Sequence, residues 1–263
     1  MESNGSWFGF DPARFFCWIP RLVFMSLCFQ MKSFLIFISF IFAGFATAQD
    51  LSTLSELMET AWPKNRTINV VFHGHSVPAG FHKTPEVKTF ESYPHLVHLK
   101  LKEQYPKAVI NVITTAIGGE TSISGAARFE RDVLSLKPDI IFIDYALNDR
   151  RPPADKVEAA WLEMIAAAKK ANVPVVLLTP TGDSSAKLED PDDALNQRAV
   201  LIRKIAGEQK VLLGDVFAAW VSEVKKGTPQ TDLLSQVNHP NLRGHMLAAE
   251  TIFKVIQDAG LKK

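Results

Sequence analysis

The chain has 263 residues, 47% of them apolar, with 29 Lys and Arg against 28 Asp and Glu. This fits one large or two small globular domains and excludes disorder, collagen and coiled coil. A formal net charge of +1 provides no broad basic field for phosphates, which argues against nucleic acid and for small molecules or polymers of neutral character.

The first 48 residues differ in kind from the rest. Positions 34–45 are nearly unbroken hydrocarbon, preceded by Met31-Lys32-Ser33 and followed by Ala46-Thr47-Ala48. A positive start, a short apolar run and small residues at −3 and −1 are what a signal peptidase reads. Residues 1–48 are therefore expected to form a leader with cleavage after Ala48 and Met31 as the true start, leaving a secreted or periplasmic domain at 49–263. The alternative is a membrane anchor, but the run is short of the ~20 residues a spanning helix needs, so no stable membrane insertion is expected after processing. Cys17 and Cys28 both lie in the leader, so the remainder has no disulfide, thiolate nucleophile or cysteine metal ligand. Charge in that remainder is balanced, and it holds all seven histidines.

From residue 49 onward, short branched apolar runs at 68–72, 108–113, 139–144, 173–178 and 211–213 alternate with segments of helical period. Runs that are continuously apolar indicate strands covered on both faces, hence a parallel sheet. Val157, Trp161, Met164, Ile165 and Ala168 repeat at helical spacing, as do Leu247, Ala248, Thr251, Ile252, Val255 and Ile256. The expected fold is α/β: a single doubly wound, flavodoxin-like domain with a five-stranded parallel sheet, helices on both faces and a ligand site beyond the carboxyl ends of the strands.

Four motifs fall at that rim. The first run leads into Gly74-His75-Ser76-Val77-Pro78, a serine just past a strand end, where a hydroxyl is exposed and neighbouring amides can face a developing oxyanion. The second leads to Gly118-Gly119-Glu120-Thr121, where glycine lets a main-chain N–H approach a ligand. The third ends in Asn148-Asp149, a side-chain amide donor followed by a residue able to cap a turn ahead of Pro152-Pro153. Near the C-terminus, Asn238-His239-Pro240 presents an imidazole in a turn stiffened by proline. His245, at the start of the last helix, reads as a packing or capping residue. The polar stretch 182–193 reads equally as a solvated loop or as part of the site mouth.

Together these blocks resemble the SGNH (GDSL-type) hydrolase family, and the resemblance spans about 68–256. It implies acyl transfer to water without a metal or cofactor. Ser76 would be the nucleophile and His239 the general base, and the Ser76 N–H, the Gly119 N–H and the Asn148 amide would hold the oxyanion. Gly119 fits the family glycine better than Gly118, since an acidic or polar residue and then Thr follow it. His75 replaces the family's Asp in the first block; the position is not the nucleophile, so the chemistry survives while loop contacts differ, and His75 is a candidate substrate contact. The family also places an Asp three residues before the histidine, where this chain has Gln236. Asp232 could fold back as the third member, Gln236 could accept from the imidazole, or a Ser–His dyad could use a main-chain carbonyl to orient the ring; the dyad is the favoured reading.

The function expected is an exported serine esterase acting on short acyl esters, chiefly acetyl on carbohydrate. The alternatives are a lipase, lysophospholipase or thioesterase acting on longer chains, a metal-dependent hydrolase built from His73, His75, His239 and Asp215, and a carbohydrate-binding protein that keeps the fold without the chemistry. Among aromatics able to stack on sugar, Trp62, Phe81, Trp161 and Trp220, Trp161 reads as core and Phe81 as the pocket-lining candidate. The sequence leaves the oligomeric state open.

Overall fold

In the computed structural model, which describes residues 49–262, β1 (Thr67–Gly74) is an interior strand of a five-stranded sheet, next to its β2 edge. Its neighbours are β2 (Val109–Thr114) and β3 (Ile140–Asp144), and β4 (Val175–Leu178) and β5 (Leu212–Gly214) extend the β3 side. The order is β2-β1-β3-β4-β5 and every pairing is parallel. This is the flavodoxin-like order, in which the chain reverses its winding direction at the gap between β1 and β3. The expected leader lies outside the described residues. Among those described, no helix is long and apolar enough to cross a membrane.

Alternate strand residues face opposite layers, so the apolar runs supply two cores at once. Ile68, Val70, Phe72, Phe142 and Val176 pack with α1 (Ser52–Glu59), α3 (Tyr93–Gln104), α7 (Val216–Lys225) and α8 (Leu242–Asp258). Val71, Ile141, Ile143, Val175 and Leu177 pack with α4 (Ser122–Asp132), α5 (Ala154–Lys170) and α6 (Ala194–Gln209). The single-turn helix α2 (Ser76–Ala79) follows β1 directly. The stripe Val157, Trp161, Met164, Ile165 and Ala168 is buried on α5, as its spacing predicts.

Three of the four aromatics considered for sugar stacking are remote from the rim or enclosed. Trp161 and Trp220 are fully buried in the two cores. Trp62 is 83% exposed but precedes β1, at the opposite end of the sheet from the strand carboxyl ends.

Candidate active site

The site is assembled from the loops that leave β1, β2 and β3 and from the turn before α8. Gly74 closes β1 where a side chain would collide with the Asp144 carbonyl oxygen, so only glycine lets β1 and β3 meet there. His75 then caps α2: its Nδ1 accepts the Val77 N–H at 3.2 Å. Ser76 opens the helix, and its carbonyl accepts the N–H of Phe81 as the chain turns back through Gly80.

His239 reaches Ser76 from the other end of the sequence. Its Nε2 is 3.0 Å from Ser76 Oγ, across 163 positions of chain. The histidine sits in a closed turn: its carbonyl accepts from both the Ser235 N–H at 2.9 Å and the Ser235 hydroxyl at 3.0 Å, and Leu234 pairs with Pro240. Asn241 caps α8 by accepting the Gly244 N–H, which fixes where the helix starts and so where the histidine turn sits.

The Nδ1 side of the ring has two neighbours. The His82 carbonyl oxygen lies at 3.1 Å and the Gln236 side-chain amide at 2.7 Å. Gln236 is itself held by Thr84, accepting its N–H at 3.0 Å and meeting its Oγ1 at 3.1 Å. The His82 N–H donates to the Glu86 carbonyl at 2.9 Å within the small hairpin joining Phe81 to Val87, which holds this stretch of backbone in place. Burial lowers the His239 pKa below its ordinary value, opposed by the His82 carbonyl bond and reinforced by the nearby His75 and His82 rings.

Asp232 requires correction as a third member. It is exposed in the short 3₁₀ turn Gln230–Leu233, and it is its main chain that is engaged, the N–H donating to the Pro229 carbonyl at 2.9 Å and the carbonyl accepting from Asn241 Nδ2 at 2.8 Å. The turn points the carboxylate to solvent while the ring nitrogen is met by His82 and Gln236.

His75 also requires correction as a substrate contact. It is fully buried under the elbow, with Nε2 3.4 Å from Asp144 Oδ1. Asp144 in turn accepts the Tyr93 hydroxyl at 2.8 Å. A side chain enclosed this way supports α2 from beneath and has no face toward ligand.

Gly119 lies in an exposed turn with φ +78°, a conformation that favours glycine, and a Cβ there would meet nothing within 4 Å. Among the described residues, neither its N–H nor that of Ser76 donates to a protein acceptor. Gly118, the other register, has Phe81 against it instead: a Cβ on Gly118 would stand 3.0 Å from the ring. The Phe81 ring centroid is also 5.8 Å from that of His239. Phe81 thus forms a wall between the Gly118 turn and the imidazole.

Asn148 gives one amide hydrogen to the Glu120 carbonyl at 2.9 Å, leaving the second free. Asp149 does cap, but not the turn ahead of Pro152: it accepts the Ser122 N–H at 2.9 Å and the Trp161 indole N–H at 2.8 Å, pinning the start of α4 to the third block. Burial raises its pKa despite these bonds. His245 accepts the Tyr93 N–H and so caps α3, not its own helix. The polar loop at 182–193 meets the histidine turn, with the Ser184 N–H donating to the Val237 carbonyl and Asp183 pairing with Arg150.

Four residues central to this arrangement carried no clear sequence signal. Asp144 lies in the third apolar run, and Tyr93 and Tyr145 stand outside every motif read from the sequence. Arg128 is a charged residue on the apolar stripe of α4 beside Ala126 and Phe129, which is the one cue that could have marked it.

The residues of the metal alternative do not converge. His73 turns to Thr115, Gly125 and Tyr145, His75 to Asp144, and Asp215 to Arg203 and Thr179. Among the described residues, no group of three or more His, Cys, Asp or Glu is placed to hold a metal ion.

A family model described as GDSL-like lipase/acylhydrolase matches residues 72–247. An acetylxylan esterase of Geobacillus stearothermophilus is 26% identical over 168 residues, covering 59% of this chain and 76% of the relative. The crystal structure of Axe2, an acetylxylan esterase from that organism, aligns with TM-score 0.62 at 26% identity, over 72% of this chain and 94% of the other. Structures of catalytic mutants of that enzyme at a serine, a histidine and an aspartate are similar as well. A two-domain esterase active on acetylated mannans has TM-score 0.64 at 22% identity over 83% of this chain and 56% of that one, a likeness of fold.

Proposed function

The chain belongs to the GDSL-like lipase/acylhydrolase family and is a carboxylic ester hydrolase, and from that premise we propose that it is an exported serine esterase that removes acetyl groups from carbohydrate. The observation that carries the chemistry is the 3.0 Å approach of His239 Nε2 to Ser76 Oγ.

In this reading, His239 donates Nδ1–H to the His82 carbonyl, which leaves the Nε2 lone pair toward the serine hydroxyl. Ser76 Oγ attacks the ester carbonyl as its proton passes to Nε2. The tetrahedral oxyanion faces the Ser76 and Gly119 N–H groups and the free amide hydrogen of Asn148. His239 then gives its proton to the leaving sugar hydroxyl. Water, deprotonated by the same imidazole, attacks the acetyl-enzyme and releases acetate, returning Ser76 to its starting state. Gln236 stands with Nε2 toward Nδ1 and Oε1 on the Thr84 N–H, so the protonated Nδ1 of this mechanism requires the amide to turn its oxygen to the ring; Gln236 then offers a dipole and no full negative charge to the imidazolium.

Acetyl as the acyl group draws support from Phe81, whose ring stands between the Gly118 turn and the His239 imidazole, and carbohydrate as the alcohol from the acetylxylan esterase relative. Export draws on the charged start, apolar run and small residues at 31–48, with cleavage after Ala48. The test is acetate release from acetylated xylo-oligosaccharides beside a series of acyl p-nitrophenyl esters. The reading expects acetate release and activity falling with acyl length. Activity rising toward long chains would make the enzyme a lipase or thioesterase instead.

A further inference from the structure

The turn that carries Gly119 is exposed, and no side chain packs where a Gly119 Cβ would stand, yet the proposed chemistry requires its N–H to hold one direction. What fixes the turn is the next residue. The Glu120 N–H donates to the Ile117 carbonyl at 3.2 Å and closes the turn. Its carbonyl takes one hydrogen of the Asn148 amide, which dictates where the other points. Its carboxylate runs down into the protein, where it pairs with Arg128, with side-chain exposures of 9% and 8%. Arg128 Nε lies 2.8 and 3.0 Å from the two carboxylate oxygens, and the Tyr145 hydroxyl donates to Oε2 at 3.0 Å.

The pair is part of a longer chain. Tyr145 Oη is met by Arg128 at 3.2 Å and by His73 Nε2 at 3.0 Å, and His73 Nδ1 faces Thr115 Oγ1 at 2.8 Å. The pattern is complete when His73 is neutral, with Thr115 donating to Nδ1 and Nε2–H shared between the Tyr145 oxygen and the Gly125 carbonyl at 3.2 Å. Burial and the neighbouring Arg128 hold the His73 pKa near 4, so it is neutral at ordinary pH. Thr115 belongs to the segment leaving β2 toward Gly119, so the network returns to the same loop.

A buried ion pair adds little net stability compared with apolar residues of the same size, because both charges lose their water. It does impose a unique geometry. We propose that Glu120, anchored by Arg128 and Tyr145, is the positioning residue that sets the direction of the Gly119 and Asn148 donors. The inference rests on the serine-esterase reading above and adds to it a residue that touches neither substrate nor reacting atoms.

The experiment uses the full chain and compares Glu120→Gln, Tyr145→Phe, Asn148→Ala and the double variant Glu120→Gln with Asn148→Ala. Glutamine keeps the volume and one acceptor and Arg128 retains Asp132, so the fold survives; the melting temperature of Glu120→Gln falls because the buried guanidinium loses its main counter-charge, and kinetics are measured well below it. Loss of an interaction made only in the transition state lowers kcat with KM nearly constant, so Glu120→Gln is expected to lower kcat about 10- to 100-fold and move KM less than about 3-fold. Residues acting as one unit are not additive, so the double variant should be no more than about 3-fold slower than Asn148→Ala alone. Tyr145→Phe should show the same kcat pattern to a smaller degree.

Additive effects in the double variant, or a fall in kcat matched by loss of titratable active sites, would mean that Glu120 only supports folding and would overturn the proposal. Unchanged kcat in Glu120→Gln beside an inactive Ser76→Ala would defeat this inference alone. Undiminished turnover in Ser76→Ala would defeat the esterase reading beneath it.

Discussion

The His82 carbonyl oxygen stands 3.1 Å from His239 Nδ1, and it comes from the loop that directly follows the elbow carrying Ser76. One stretch of chain therefore presents both the hydroxyl and the group that orients the imidazole acting on it. Gln236 lies on the same side of the ring and ties the histidine turn to that loop through Thr84. The imidazole is aligned without a carboxylate, and this arrangement can be altered one atom at a time.

Gln236→Glu places a carboxylate oxygen where the amide now sits, and the Thr84 N–H, the Thr84 hydroxyl and His239 Nδ1–H can all donate to it. A full charge beside the ring stabilises imidazolium, so kcat/KM should rise by roughly an order of magnitude. Gln236→Ala should cost less than about 10-fold because the His82 carbonyl remains, far below the roughly 10⁴-fold cost of disabling a triad aspartate. Asp232→Asn should change nothing. Steady-state kinetics on p-nitrophenyl acetate checks all three, and a loss in Asp232→Asn as deep as in His239→Ala would restore the aspartate as third member.

Burial holds His239 below the ordinary histidine pKa, and the base must be neutral to accept the serine proton. The active form therefore persists to lower pH, and the acid limb of kcat/KM should lie below about 6.5. In Gln236→Glu the added carboxylate favours the charged ring and should move that limb upward. A wild-type limb above 7, or no movement in the variant, contradicts the assignment.

Two histidines that take no part in the chemistry should govern acid stability. Burial and Arg128 hold the His73 pKa near 4, and burial, with minor contributions from His239 and His82, holds that of His245 near 3. The unfolded chain binds these protons from about pH 6.5 downward and the folded chain does not. Stability is thus complete above pH 6.5 and falls by up to about 1.4 kcal/mol per pH unit for each histidine on acidification. Melting temperature measured from pH 7 to 4.5 should drop, and His245→Asn, which keeps an acceptor for the Tyr93 N–H, should flatten the slope. A profile that is flat in wild type, or unchanged in the variant, refutes this.

Phe81 fills the space between the Gly118 turn and the imidazole, so Phe81→Ala should admit longer acyl groups. Each methylene accommodated is worth about 10- to 200-fold in selectivity, so the butyrate-to-acetate ratio of kcat/KM should rise at least about 10-fold. An unchanged ratio would place the acyl group elsewhere.

The two-faced sheet and the four rim motifs were legible because strand periodicity and turn chemistry are local properties of sequence, and a doubly wound topology brings strand ends together. Side-chain direction beyond a strand end is not local. His75 was read as a loop contact, but the tight start of α2 turns it inward to Asp144. Asp232 was read as able to fold back, but a 3₁₀ turn aims it at solvent. The His82 carbonyl carries no side-chain signal at all, and the dyad reading named the kind of group without its position. The Glu120, Arg128 and Tyr145 cluster joins three separate elements and becomes visible only once they are packed.

The most direct measurement treats the protein with a p-nitrophenyl phosphonate and maps the adduct by peptide mass spectrometry. A single adduct on Ser76, formed at least about 100-fold more slowly in His239→Ala and accompanied by complete loss of acetate release, is the predicted result, in line with the usual contribution of a general base. An adduct on another residue with Ser76 unmodified, or full hydrolysis by the Ser76→Ala protein, would contradict the account.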